Sequence, residues 1–123
     1  IANRENEFDA PGISLRIAIC HVPFVEYFKF PFDVGGAYYE HWTELLAEMH
    51  IDLLLCGHMH TAYFVPPHAA EHRDAAFPTA VLSIPPKDYD GSTLYTGGAI
   101  IRENGKRTAA VVRGGEITET MEF

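Results

Sequence analysis

The sequence contains few cysteines, few basic residues and no long hydrophobic run. Two cysteines among 123 residues are too few to staple a small secreted domain, and a chain of this length can bury a core without disulfides. We therefore expect Cys20 and Cys56 to be buried, reduced thiols, with a single disulfide as the alternative. No apolar stretch approaches the length of a membrane helix, and the polar first residues hold no signal-peptide core. The sequence thus favours a cytoplasmic protein.

The charge balance is acidic, with 9 Lys and Arg against 17 Asp and Glu and a net charge of -8. Nucleic acids and anionic membranes select surfaces rich in Lys and Arg, so we expect neither as the main partner. A phosphate-bearing substrate stays open, because a bound metal can invert the local charge. The seven histidines are the abundant feature, and they raise the question of a metal site.

The length predicts one domain. Residues 1–12 are polar and end in Pro11-Gly12, which predicts a linker followed by a domain over 13–123. A sequence that opens on such a linker is expected to be a piece of a longer protein, with a trimmed expression product as the alternative.

The first half of the domain has the pattern of a βαβ unit. Residues 13–20 form a nearly continuous apolar run, which predicts a strand buried on both faces, and Pro23 ends it. An aromatic loop is predicted over 24–36, as a cover for the core or a lid, with Gly35-Gly36 as breakers. Helical periodicity over 37–50 and a second apolar run over 51–56 complete the unit, which implies parallel pairing of the two strands.

The second half has the pattern of an antiparallel sheet. A loop is predicted over 61–78, and a polar turn, to which we assign Asp88 and Asp90, surrounds Asp90-Gly91. Asn104-Gly105 and Gly114-Gly115 are strong hairpin signals. The strands are predicted over 79–84, 93–101, 106–113 and 116–123. The fold class is therefore α/β, or an α+β fragment: one βαβ unit followed by an antiparallel β meander.

Three histidines follow the two predicted parallel strands. His21 comes directly after the first strand, and Gly57-His58-Met59-His60 comes directly after the second. The carboxyl ends of parallel strands share one edge of the sheet, where ligand sites of open α/β sheets form. Residues two apart in extended backbone point to the same side, and Gly57 permits a sharp turn. Neutral imidazole is a common ligand of transition metals, so His21, His58 and His60 are the predicted metal ligands.

The order and context of these residues resemble the C-terminal half of the calcineurin-like metallophosphoesterase superfamily. In that superfamily the motifs D-x-H, G-D-x-x-D and G-N-H-[D/E] precede a histidine in an H-x-P setting and then G-H-x-H. His21-Val22-Pro23 and Gly57-His58-Met59-His60 match the last two motifs in order and spacing. The resemblance covers residues 13–60 closely and residues 79–123 loosely.

The resemblance implies a dinuclear metal centre of Mn, Fe or Zn ions, in which His21 and His58 bind one metal and His60 binds the other. In the superfamily a metal-bound hydroxide attacks the phosphorus of a phosphate ester, and the metals neutralise the developing charge. The implied substrate is a phosphorylated small molecule or protein. The matched motifs assign no further catalytic residue and no substrate-binding residue.

The motifs D-x-H, G-D-x-x-D and G-N-H occur nowhere in the sequence. The superfamily's bridging aspartate, asparagine ligand and substrate-facing histidine are therefore absent. We expect the chain to be the C-terminal half of a metallophosphoesterase β-sandwich, inactive alone and completed by the missing N-terminal half. Half a sandwich leaves sheet edges and apolar faces uncovered, so we also expect a homo-oligomer.

Two other functions fit the same residues. A non-catalytic β-rich binding or oligomerisation module would use the meander, and a mononuclear metal protein would close one site with His21, His58 and His60. A mixed site with the two cysteines is disfavoured, because Cys20 and His21 point to opposite faces of a strand. The remaining histidines are assigned to packing or solvent (His41 and His50) and to an exposed loop (His68 and His72), with an extra metal site as the alternative if that loop is helical.

Overall fold

The computed structural model describes residues 10–29, 34–83 and 97–123. Within these ranges the fold is mixed α/β, with a four-stranded mixed sheet and a three-stranded antiparallel sheet. The elements are β1 (Ile17–Cys20), α1 (Phe24–Phe28), α2 (Val34–Glu48), β2 (Leu53–Cys56), β3 (Ala62–Val65), a short 3₁₀ turn (Ala70–His72), β4 (Thr79–Leu82), β5 (Gly97–Glu103), β6 (Lys106–Arg113) and β7 (Glu116–Glu122).

The first sheet has the strand order β1-β2-β4-β3. Strands β1 and β2 pair in parallel from Ile17 opposite Leu53 to Cys20 opposite Cys56, with α2 between them in the chain, so the predicted βαβ unit is confirmed. Two predictions about this sheet are wrong. The 79–84 segment does not join the meander, because β4 lies parallel to β2 in the first sheet. The predicted 61–78 loop contains β3, which pairs antiparallel with β4.

Strand β1 is not buried on both faces as its apolar run predicts. It is the outermost strand of the first sheet, and the Ile19 side chain is 80% exposed. Central strand β2 shows the burial expected of such a run, since Leu53 and Leu54 are fully buried. Continuous apolarity therefore does not distinguish an edge strand from a central one in this sheet.

The helices cover one face of the first sheet. Leu46 and Met49 of the α2 region pack with Leu54, Cys56 and other residues of one continuous cluster. Residues 24–28, predicted as part of an aromatic loop, form helix α1 and bury Phe24 and Val25 against this layer. The Gly35-Gly36 pair, predicted as a breaker, lies in the first turn of α2. Glycine has a low helix propensity. Packing of Tyr39 on Phe24 and Tyr27 stabilises the helix in spite of it.

The second sheet covers the opposite face of the first. Its strands β5, β6 and β7 form the predicted antiparallel meander. Both connections are tight turns whose central residues have positive φ, at Asn104-Gly105 and Gly114-Gly115, as two-residue hairpins require. The sheets meet through a second core cluster that includes Leu53, Ala80 and Ala109. The protein is thus layered as helices, mixed sheet and antiparallel sheet.

Several predictions fall outside the described residues. These are residues 1–9 of the predicted linker, residues 30–33 of the aromatic loop, the turn with Asp88 and Asp90, and residues 93–96 of the third predicted strand of the second half. In the described ranges, none of the helices has both the length and the apolarity needed to cross a bilayer.

Candidate metal centre

The structure brings His21 and His58 into direct contact. Nε2 of His21 lies 3.1 Å from Nδ1 of His58, and the two rings meet edge to face with centroids 4.8 Å apart. Parallel pairing causes this approach, because Cys20 and Cys56 are register partners at the ends of β1 and β2. The Gly57 N–H donates to the His21 carbonyl at 3.0 Å, which extends the backbone hydrogen bonding of β1 and β2 by one residue.

The sharp turn predicted at Gly57 depends instead on the backbone conformation of His58 and His60. Gly57 is not among the residues with positive φ, whereas His58 and His60 both are, at 65° and 53°. Left-handed backbone is uncommon for residues other than Gly, but His adopts it more often than most, and His50 and His68 outside the candidate site share it. The extended backbone assumed for the H-x-H spacing is therefore absent, and this spacing does not by itself place the two rings on one side.

The separation of the His21 and His58 nitrogens fits a shared cation. Metal–imidazole bonds of about 2.0–2.1 Å at a tetrahedral angle place two ligand nitrogens roughly 3.3 Å apart. The observed 3.1 Å is close to that value. It equally fits an N–H···N hydrogen bond between neutral rings, in which a metal would replace one proton. Both side chains are exposed, so an ion and solvent can reach the two nitrogens.

The pair supplies only part of a metal coordination sphere. His60 is exposed, and in the described portion of the chain no three His, Cys, Asp or Glu side chains are grouped closely enough to hold a metal. A structural zinc site needs four ligands and a catalytic one three. Further ligands must therefore join His21 and His58 before they can hold an ion tightly.

Comparison with family models, curated proteins and solved structures found no match to this chain. The resemblance to metallophosphoesterases therefore rests on the sequence motifs around His21 and His58 alone.

The two cysteines lie beside the histidine pair on the helix-covered face of the sheet. Both are free; Cys56 is buried as predicted, whereas Cys20 is only partly buried. Burial, followed by the nearby Cys20, raises the pKa of the Cys56 thiol to about 12. The Cys20 thiol donates to the Val22 carbonyl at 3.3 Å. In the described residues neither cysteine joins a metal-binding group with the histidines.

His72 is the histidine whose environment differs most from the prediction. Expected in an exposed loop, it lies in the 3₁₀ turn with no exposed surface. Its ring packs edge to face on Phe77, and Nδ1 lies 3.4 Å from the Thr79 hydroxyl. Among the described residues Nε2 has no hydrogen-bond partner, and burial lowers the pKa of His72 to about 4. No local pattern predicts this burial, because Glu71 and Arg73 beside His72 are typical of an exposed loop.

The other histidines outside the candidate pair lie at the surface. His41 and His50, assigned to packing or solvent, are both exposed, which favours the solvent role. His68 is exposed as predicted and approaches Asp74 at 2.9 Å. The alternative metal site of His68 and His72 does not form, because His72 is turned into the core.

A polar cluster missed by the sequence analysis joins α1 to β3. The Tyr63 hydroxyl donates to Glu26 at 2.8 Å, and Lys29 donates to the same carboxylate at 2.7 Å. Burial opposes ionisation of Glu26, but the bonds from Lys29 and Tyr63 outweigh it and lower the pKa. The pKa of Tyr63 is raised, by burial and then by the Glu26 carboxylate. The pairing depends on β3, which has no clear strand signal in the sequence.

Proposed function

We propose that this chain supplies metal ligands to a metal-dependent phosphoesterase. The observation that carries the proposal is the 3.1 Å approach of His21 Nε2 to His58 Nδ1 at the carboxyl ends of two parallel strands. Ligand sites form at this edge in open α/β sheets. The motif context of the two residues supports the same assignment.

In this proposal His21 and His58 hold one ion, and His60 holds a second. Ligating imidazoles must be neutral at the bonding nitrogen, and both residues of the pair are exposed, so an ion can reach them from solvent. Bound divalent ions supply Lewis-acid activation of water and neutralise charge on a phosphoryl oxygen. The positive charge of two ions would also offset part of the chain's net charge of -8 near an anionic substrate.

The remaining ligands come from polypeptide outside this sequence. Aspartate and asparagine in the superfamily's motifs are absent here, and the described residues place no carboxylate in a metal-binding group with the histidines. We therefore propose that the chain functions as one part of a larger catalytic domain. Its substrate would be a phosphorylated small molecule or protein.

The test is a titration of the chain with Co²⁺ or Zn²⁺, followed by absorbance and calorimetry. We expect His21→Ala and His58→Ala each to weaken the first binding event at least tenfold, since each removes half of the pair. His60→Ala should leave that event intact. His68→Ala is the matched control, because His68 is exposed and pairs with Asp74 rather than with the candidate ligands.

Far-UV circular dichroism must show that each variant keeps its secondary structure. Unchanged metal affinity in both His21→Ala and His58→Ala would overturn the ligand assignment. Metal-dependent hydrolysis of a phosphate ester by residues 1–123 alone would contradict the inference that other polypeptide completes the site.

A further inference from the structure

The two cysteines are directly opposite each other in neighbouring strands. Cys20 of β1 and Cys56 of β2 are register partners, and both pack into the cluster on the helix-covered face. Neighbouring strands lie about 4.7–4.9 Å apart. A disulfide accepts Cα separations of about 4.4–6.8 Å, so the backbone already satisfies this requirement.

The two thiols differ in access to solvent. Cys56 is 5% exposed and belongs to the core cluster. Cys20 is partly buried and lines a groove of about 350 Å³ between β1 and α2, together with Tyr39 and Trp42. Cys20 is therefore the more accessible of the two thiols to a small oxidant.

We propose that Cys20 and Cys56 form a reversible modification site, which a peroxide oxidises to an intramolecular disulfide. The Cys20 sulfur attacks one peroxide oxygen, the O–O bond breaks, and one water leaves as Cys20 becomes a sulfenic acid. The Cys56 sulfur then attacks the Cys20 sulfur. The S–O bond breaks, and the hydroxide takes the Cys56 proton to leave as a second water. Two thiols are oxidised and one peroxide is reduced; a dithiol reductant reverses the change.

The position of the pair links this chemistry to the candidate metal centre. Cys20 immediately precedes His21, and only Gly57 separates Cys56 from His58. Forming the bond requires the Cys20 sulfur to leave the Val22 carbonyl and turn toward Cys56. The bond would constrain the two strand ends, and we expect this constraint to change the approach of the two rings. This effect on the metal rests on the proposed function, whereas the disulfide itself does not.

The experiment treats the reduced chain with one equivalent of hydrogen peroxide. Intact-mass and peptide analysis should show the loss of two hydrogen atoms and a peptide that joins Cys20 to Cys56, both reversed by dithiothreitol. Cys56→Ala should instead stop at a singly oxidised Cys20, and Cys20→Ala should react slowly. The same treatment after unfolding in urea shows whether the native arrangement speeds bond formation, which we expect by at least tenfold.

Disulfide-linked dimers, or sulfinic acid on Cys20 without a bridge in the native chain, would overturn the proposal. Co²⁺ titration of the oxidised chain then measures the effect of the disulfide on metal binding. We expect the disulfide to weaken Co²⁺ binding several-fold. The Cys20→Ala/Cys56→Ala double variant should bind Co²⁺ like the reduced chain, because the thiols are not ligands. If the bridge forms but Co²⁺ never depends on His21 or His58, the modification site stands and the proposed metal function fails.

Discussion

Leu82 of β4 packs directly over Gly98 of β5, where the two sheets meet. A Cβ added to Gly98 would lie 2.8 Å from the Leu82 Cβ, which is closer than real contacts allow. The absence of a side chain at position 98 therefore sets the distance between the sheets at this point. Because the conflict involves the base of Leu82, rotation of that side chain cannot remove it.

We expect Gly98→Ala to lower the free energy of unfolding by about 1–3 kcal/mol, since overpacking forces backbone shifts. Gly97→Ala is the matched control, because a Cβ there meets nothing within 4 Å. Urea unfolding followed by tryptophan fluorescence measures both. If the two variants had equal free energies of unfolding, the sheets could move apart to admit a methyl group at position 98 without loss of stability.

The buried His72 should make stability depend on pH. Burial lowers its pKa in the folded protein from 6.5 to about 4, so the unfolded chain binds the proton more readily. Its contribution is complete above pH 6.5 and is lost progressively as the pH falls toward about 4. The loss amounts to at most about 3 kcal/mol.

Replacement of His72 isolates this effect from the titration of carboxylates. We expect His72→Phe to reduce the fall in stability between pH 6.5 and 4, as measured by urea unfolding at each pH. His68→Ala, at an exposed position, should leave the fall unchanged. A wild-type profile that matches the His72→Phe profile would mean that folding does not lower the pKa of His72.

Asp52, which precedes β2, contacts the residue before β1 and a residue of β6. Its carboxylate accepts the Arg16 backbone N–H at 2.8 Å and pairs with Arg107 of β6 at 3.0 Å. We expect Asp52→Ala to cost about 1–3 kcal/mol in unfolding free energy, because a partly buried donor and cation lose their acceptor. Lys29→Ala, which removes an exposed pair with Glu26, should change stability by no more than about 0.5 kcal/mol. Thermal unfolding of both variants tests the difference.

The apolar edge at β1 should drive self-association of the isolated chain. In the described ranges no strand pairs with the outer edge of β1, and Ile19 stands 80% exposed on it. The other sheet's edge strand, β7, also exposes an isoleucine, Ile117, but it carries three glutamates that discourage pairing. A second copy of the chain is the occupant we expect on β1.

Sedimentation equilibrium tests this expectation. Ile19→Lys should shift the chain toward monomer by at least tenfold in dissociation constant, whereas Ile117→Lys should not. A wild-type chain that stays monomeric at high concentration would remove the prediction of a homo-oligomer.

Turn residues and short apolar runs predicted the hairpins of the second sheet and the βαβ unit. The β6 strand and both hairpin turns follow from Asn104-Gly105, Gly114-Gly115 and the apolar run between them. The approach of His21 to His58 follows from the βαβ unit, since parallel strands end at one edge. These inferences needed only neighbouring residues and one rule of topology.

Features set by distant partners escaped the sequence analysis. Strand β3 has no clear alternation, and it forms because β4 offers an edge for pairing. The burial of His72 depends on Phe77 and Thr79 closing over the ring, and the exposure of Ile19 depends on which strand is outermost. The left-handed backbone at His58 and His60 likewise reflects the path of the chain from β2 to β3.

The strand order β1-β2-β4-β3 also has a consequence for the order of folding. The second sheet is assembled from two tight hairpins, so it closes short loops and can form early. In the first sheet, β4 must insert between β2 and β3, although both of these strands precede it in the chain. We therefore expect amide protons of β5 and β6 to gain protection first during refolding. The His21–His58 contact would then be among the last to appear, because it requires β1 and β2 to be aligned.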